Sequence, residues 1–308
     1  MQQVTLLNGS TGLNVVVDPV RLQYDPERGI QELAVALNVD IDQTGRVSRR
    51  RGYERLNSTP CHSLWNGAGR TYCVADGWIC TVEEDFSYTQ RALLQHPNEK
   101  VWFLNVNGDV FWSNGLENGI LRFGTIPEAW SFLMPQSESD PRSLSPMPEG
   151  KCLELYNGRI WAARENAMFC SEPLGYQACD MARNWLMFES EVRMIRAVST
   201  GLYVGTATEV NYIEGSTPAE FTRTVVSDSP VIEGTCATID GRQVLQGDVT
   251  TRCVMWTALD GIYTGYPGGE VFNQGRAANL TKDKLRYPGG STGSAVVLND
   301  SYLTLIDP

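Results

Sequence analysis

The chain has 308 residues, an apolar fraction of 42% and a formal net charge of −11 from 36 acidic against 25 basic residues. That apolar fraction suffices for a packed core and excludes global disorder, while length alone leaves open one large all-β domain or two smaller ones. So acidic a chain is a poor general binder of nucleic acid, whose phosphates are held by clusters of Lys and Arg.

Residues 1–36 form a leader with two strand-like runs, Val4–Leu7 and Leu13–Val17, around a turn at Asn8–Gly12. Asp18-Pro19 and Asp25-Pro26 interrupt any longer element, and Gln31–Leu37 reads equally as strand or short helix. The opening MQQVTLLNGS has neither a charged n-region nor a long apolar core, and no run of about 18 apolar residues occurs. A signal peptide and a membrane-spanning segment are therefore not expected.

Leu37–Tyr53, LNVDIDQTGRVSRRRGY, alternates apolar and polar residues at Val39, Ile41 and Val47 around Gln43-Thr44-Gly45. This predicts a β-hairpin. Its exit is basic: Arg46, Arg49, Arg50, Arg51 and Arg55 oppose Glu54. Three readings fit it: a solvated edge that blocks strand addition, a contact with an acidic neighbouring subunit, or a contact with DNA. Arginine supplies all the basic residues except Lys100, Lys151, Lys282 and Lys284, a bias toward the planar, bidentate side chain common at protein interfaces.

From Leu64 a unit recurs: a short aromatic strand, a tight turn, then another short aromatic strand. Clear copies are TYCVADGWICTV (71–82), VWFLNVNGDVFWSNG (101–115) and LELYNGRIWAARENAMFCSEP (153–173), followed by 198–215 and 255–271. The turn glycines are Gly77, Gly108, Gly158, Gly201 and Gly261, with a further Asp240-Gly241 turn in the last gap. Asx-Gly between aromatic or β-branched runs is a strong hairpin signal, and a repeat of roughly 30–50 residues suits four-stranded propeller blades.

A β-sandwich would pack about seven to nine strands into ~100 residues with uneven connections. Here hairpins run on with little helical periodicity. Successive apolar positions such as Val101-Trp102-Phe103-Leu104 also suit a sheet buried on both faces. The expectation is an all-β fold, a single β-propeller domain over 1–308. It has about six blades, five to seven being compatible, and is closed by N- and C-terminal strands. Ala295–Ile306 would complete a blade begun by the N-terminal hairpin. Met134–Gly150, rich in Pro and Ser, reads as an exposed loop, either a plain insertion or a docking element. Leu174–Trp185 has room for a short helix.

Eight cysteines without Cys-x-x-Cys spacing read as buried thiols in a reducing compartment, and two histidines make a Cys/His zinc site improbable. The carboxylates near turns are Asp76, Asp109, Glu154, Glu209 and Asp260. Most sit where Asp serves the backbone, and spacing alone shows no acid/base pair. His62 and His96 lack a triad motif, and no phosphate-cradling or calcium-binding loop occurs. No catalytic residue, metal ligand or cofactor is assigned, and a non-enzyme is expected.

The stretch ALNVDIDQTGRVSRRRGYERL (36–56), after an Asp-Pro-containing leader, resembles the start of short-tailed bacteriophage tail-nozzle and packaged-DNA stabilisation proteins. NGRIWAARENAMFCSEP (157–173) and TEVNYIEGSTPAEF (208–221) are similar to later blade segments of that group. The resemblance implies a β-propeller virion protein assembled in the host cytoplasm. It would form a homo-oligomeric ring, hexameric by analogy, that extends the DNA channel below portal and adaptor. Such a ring retains packaged DNA, lets it pass without specific binding, and docks other tail or fibre proteins. Arg46, Arg49, Arg50 and Arg51 would then be subunit-interface residues. Two other classes remain open from the sequence: a receptor- or glycan-binding tail-tip propeller, with Trp65, Trp130 and Trp185 stacking on sugars, and a carbohydrate-active enzyme.

Overall fold

The computed structural model describes residues 10–14, 17–22, 24–25, 29–41, 44–50, 52, 54–131, 142–244, 251–274, 292–298 and 301–307. The predicted strand Val4–Leu7, Gln43 of the hairpin turn, Arg51 and residues 134–141 of the Pro/Ser-rich loop lie outside those residues.

The described chain is almost entirely β, in a β-propeller-like arrangement. Five four-stranded antiparallel sheets follow one another along the sequence: 61–93, 102–128, 151–187, 192–227 and 237–273. Each runs up and down in near-sequential order. A two-stranded antiparallel sheet follows, Thr292–Leu298 paired with Ser301–Asp307.

The tight turns have a direct sequence cause. At Asp76-Gly77, Asn107-Gly108 and Asn157-Gly158 both central residues have φ between 48° and 89°. That is the type I′ geometry whose twist matches the flanking strands, and Asx-Gly tolerates it best. Gly201 differs from the reading above. It opens the strand Gly201–Thr206 after a Ser199-Thr200 turn, and a Cβ there would sit 2.5 Å from the Ile213 carbonyl oxygen. Asp240-Gly241 makes no hairpin turn either: Asp240 Oδ1 accepts from Arg242 N, and the four-residue helix Gly241–Val244 starts there.

Side chains are buried on both faces of the inner strands, and the core lies in layers between consecutive sheets. Trp65, Tyr72 and Phe103 meet between the first and second sheets, with ring centroids 5.6–5.9 Å apart. Phe111, Trp130 and Tyr176 meet between the second and third, and Trp161 and Phe221 between the third and fourth. Tyr203, Tyr212, Trp256 and Tyr263 fill the next layer.

Polar tips of these aromatics cross the layers as latches. Tyr72 Oη donates to Gly124 O (3.0 Å), Trp130 Nε1 to Tyr176 O (2.8 Å), Tyr156 Oη to Gly215 O (3.2 Å) and Tyr203 Oη to Tyr266 O (2.6 Å). The last layer joins the fifth sheet to the two-stranded sheet, where Tyr302 Oη bonds to Thr257 Oγ1 (2.9 Å) and Thr235 O. In these latches the apolar ring packs while its donor is satisfied, whereas Trp112 Nε1 and Trp256 Nε1 are buried with no hydrogen-bond partner among the described residues.

Some local readings are corrected, and one that stood open is decided. Leu174–Trp185 holds no helix: Ala178–Asp180 is a strand that pairs with Leu144–Pro146, so part of the expected loop is sheet. Pro146 is tolerated because this is a short two-stranded edge. The stretch after Gln31 is strand, Glu32–Leu33, parallel to Gly12–Leu13. The N-terminal hairpin, Val39–Ile41 with Val47–Arg49, is present as expected. Among the described residues, however, it forms its own sheet and does not pair with 292–307.

Candidate functional site

The first strands of three sheets converge with the C-terminal hairpin on one open cavity of about 620 Å³. The first sheet contributes His62 and Ser63, the second Lys100 and Trp102, the third Lys151; Glu99, Glu233 and Asp307 add carboxylates to the lining. Two of these strands reach the cavity through matching bulges. Register shifts between His62 and Trp65 and between Lys151 and Glu154, with Ser63 at φ 54° and Cys152 at φ 57°. A bulge re-aims the residues beside it, here His62 and Lys151.

Trp102 is the centre of the polar cluster. Lys100 Nζ and Lys151 Nζ each lie 5.9 Å from its ring centroid, within cation–π range. Lys100 Nζ also donates to Gly293 O at 2.7 Å, and burial holds its pKa below the ordinary lysine value. Lys151 Nζ lies 3.4 Å from Glu233 Oε1 and 3.8 Å from Glu191 Oε1. Gly234, at φ +86°, passes so close to Lys100 Nζ and Gly293 O that a Cβ there would overlap both. The glycine is what lets the C-terminal hairpin seat against the second sheet.

A second charged group ties three sheets together. Glu154, with a side chain 5% exposed, receives Arg196 Nη1 at 3.2 Å and Arg252 Nη2 at 3.5 Å. Arg196 also reaches Leu153 O and Ile195 O at 3.4 and 3.3 Å. Sequence reasoning singled out Glu154 as a carboxylate near a turn but missed its two partners, which stand 42 and 98 residues away in the sequence.

The other candidate carboxylates are distributed over separate sheets and engaged locally. Asp109 accepts from Arg122 Nη1 (2.6 Å) and Phe123 N, Glu209 from Asn211 Nδ2 (3.0 Å), and Asp260 from Tyr263 Oη (3.0 Å) and Ser229 Oγ. Asp76 is an exposed turn residue. His62 Nε2 bonds to Pro97 O and Nδ1 to Ser63 Oγ (2.9 Å), while Ser63 Oγ accepts from Val101 N (2.8 Å). That amide bond occupies an oxygen lone pair and anchors the serine to the next sheet. His96 donates its backbone N–H to Glu117 Oε1 and is exposed.

Burial raises the thiol pKa of Cys73, Cys170 and Cys179 to about 12, and that of Cys152 further still, so these thiols stay protonated near neutrality. Among the described residues, no group of three His, Cys, Asp or Glu side chains is placed to hold a metal ion, and no helix is long and apolar enough to cross a membrane.

Of the tryptophans considered for sugar stacking, Trp130 is 3% exposed and Trp65 stacks on Phe103, whereas Trp185 is 39% exposed. The predicted interface arginines do cluster: Arg46, Arg49 and Arg50 are all exposed on the N-terminal hairpin, and Arg50 Nε lies 3.0 Å from Asp40 Oδ1. They are not brought to the cavity by any described contact.

No protein-family model matches the chain, and comparison with curated proteins finds no match. Solved structures are similar in fold. The extracellular domain of a putative hybrid two-component system from B. thetaiotaomicron is 12% identical, covering 83% of this chain and 32% of that one, with a TM-score of 0.50. A second such domain from the same organism is 10% identical over 82% of this chain and 34% of that one, with a TM-score of 0.51. A virginiamycin B lyase from Staphylococcus aureus is 14% identical over 69% of this chain and 68% of that one, with a TM-score of 0.43. This chain spans about a third of the length of the two extracellular domains. At such identities the likeness concerns the fold alone: an all-β, propeller-like run of four-stranded sheets.

Proposed function

We propose that this chain is a structural, non-catalytic subunit of a bacteriophage tail. It assembles with copies of itself into a ring that continues the DNA channel below portal and adaptor. In this reading the two-stranded sheet 292–307 is the start of a sixth propeller blade after the five four-stranded sheets. The observation that carries the proposal is the segment 36–56. It resembles the start of tail-nozzle and packaged-DNA stabilisation proteins, and its hairpin stands apart from every four-stranded sheet with Arg46, Arg49 and Arg50 exposed.

Physical chemistry supports a contact role for that hairpin. Exposed arginines on a chain of net charge −11 find carboxylates on any neighbouring copy, and a head-to-tail contact repeated by rotation closes a ring. The same net charge favours passage of DNA over adhesion. Several candidate carboxylates are used to fasten sheets and turns, which suits a scaffold.

The test is a copy count of this chain in purified virus particles by quantitative mass spectrometry. About six or twelve copies per particle is the expected result for a ring component. Absence from particles overturns the proposal. Replacing Arg46, Arg49, Arg50 and Arg51 by Ser is expected to impair ring assembly while leaving the monomer folded.

A further inference from the structure

The sheet Thr292–Leu298/Ser301–Asp307 differs from the five sheets before it in having two strands where each of those has four. Its seven residue pairs alternate strictly between two faces. One face, through Val297 and Tyr302, packs on Ile239, Cys253 and Met255 of the fifth sheet. The opposite face carries Val296, Leu298, Leu303 and Leu305, which are 53%, 55%, 44% and 79% exposed. Four aliphatic side chains on one face of a small sheet, beside a backbone edge at Ser301–Asp307 that pairs with no other strand among the described residues, form an acceptor for further strands.

The N-terminal segment has the matching properties. Val39–Ile41 and Val47–Arg49 form an antiparallel pair that joins no other sheet among the described residues. Val35 and Leu37, just before it, are 70% and 81% exposed. The hairpin carries Arg46 and Arg49 at its surface, whereas the end of the acceptor sheet carries exposed Asp307 with exposed Glu99 across the cavity. Strand number, apolar surface and charge sign are complementary.

We propose that the sheet 292–307 takes up the hairpin Val39–Arg49 of a second copy, completing a four-stranded sheet across the subunit boundary. The donor hairpin and the acceptor sheet are different surfaces of the chain, so each copy can give the one and receive at the other. Such a contact is head-to-tail and closes by rotation. In the single chain Ser10 N donates to Gly45 O of the hairpin, and among the described residues the hairpin pairs with no strand of 292–307. The inference deepens the ring reading above and rests on it for the number of copies.

The experiment places a benzophenone photo-cross-linker at Leu303 in the full-length protein, mixed as light and 15N-labelled copies, and maps the products by mass spectrometry. A covalent dimer joining position 303 of one isotopic form to 35–49 of the other is the expected result. Joining within one isotopic form alone means the chain closes on its own hairpin and overturns the proposal. So does a dimer mapped elsewhere, or a monomer with no cross-link. The milder variant Leu303→Ser and the charged variant Leu305→Asp are each expected to weaken self-association at least about 30-fold, the loss typical of a buried anchor, without altering the near-ultraviolet circular dichroism. Rings with cross-links elsewhere refute the strand exchange and leave the ring reading standing. Confirmed exchange in a protein missing from virus particles refutes the tail assignment and leaves the exchange standing.

Discussion

Replacing Glu154 by Gln keeps the side-chain volume and removes the charge that Arg196 and Arg252 share. Breaking a buried ion pair by removing one partner costs about 3–5 kcal/mol, because the other charge stays behind without compensation. Here the carboxylate is 5% exposed, but Arg196 and Arg252 are 22% and 47% exposed and recover part of their hydration. The retained amide oxygen also keeps one weaker hydrogen bond. We therefore expect a loss of about 2 kcal/mol, with the larger share from Arg196. At about 2–4 °C per kcal/mol, and nearer the lower figure for a chain of this length, the melting temperature falls by about 4 °C. A double-mutant cycle of Glu154→Gln with Arg196→Met, measured by urea unfolding, isolates the pair and should return a coupling of about 1–2 kcal/mol. Strict additivity, with a melting shift under about 1 °C for Glu154→Gln, would refute the assignment of Glu154 as the tie between three sheets.

Other expectations follow from the last layer and from the latches. Tyr302→Phe removes two hydrogen bonds and should cost about 1–2 kcal/mol at neutral pH, read by thermal unfolding. Burial raises the Tyr302 pKa from 10.0 to about 12. The folded state thus holds this proton where the unfolded state has released it, and the associated stability is complete below pH 10 and lost as pH rises to about 12. Tyr302→Phe should show a shallower alkaline decline than the parent, and an unchanged slope in denaturation at those pH values would contradict the placement of Tyr302. Gly234→Ala adds a Cβ into Lys100 Nζ and the Gly293 carbonyl at a positive φ, so we expect loss of at least about 2 kcal/mol and protease access to the C-terminal hairpin in limited proteolysis. Tyr203→Phe, which deletes a latch without emptying its layer, should cost about 1 kcal/mol and leave the secondary structure unchanged by circular dichroism.

The parts of this fold that can be read in the sequence are those fixed by neighbours in the chain. Asn107-Gly108 requires positive φ twice in succession and lies between aromatic runs, so the hairpin is specified within about ten residues. Partner choice is another matter. Ala178–Asp180 pairs with Leu144–Pro146 across more than thirty intervening residues, and nothing local distinguishes that strand from a short helix. The role of Glu154 depends on arginines from two other sheets, and the cavity on bulges that turn His62 and Lys151 inward. A bulge at Cys152 leaves little trace in the sequence, because cysteine is not a residue that favours positive φ. The run of arginines at 46–51 is legible at once, since a cluster of like charges on an acidic chain needs no geometry to be noticed.

The inter-sheet latches add a nearest-neighbour term to the energy of each sheet. Each reaches from one sheet to the next in sequence, while the Glu154–Arg252 pair and the Lys100–Gly293 bond link elements that are not consecutive. Amide exchange should accordingly be slowest in 151–227, flanked on both sides, and fray toward 61–93 and 292–307. Terminal strands held in this way can loosen to engage a neighbour while the central sheets stay packed.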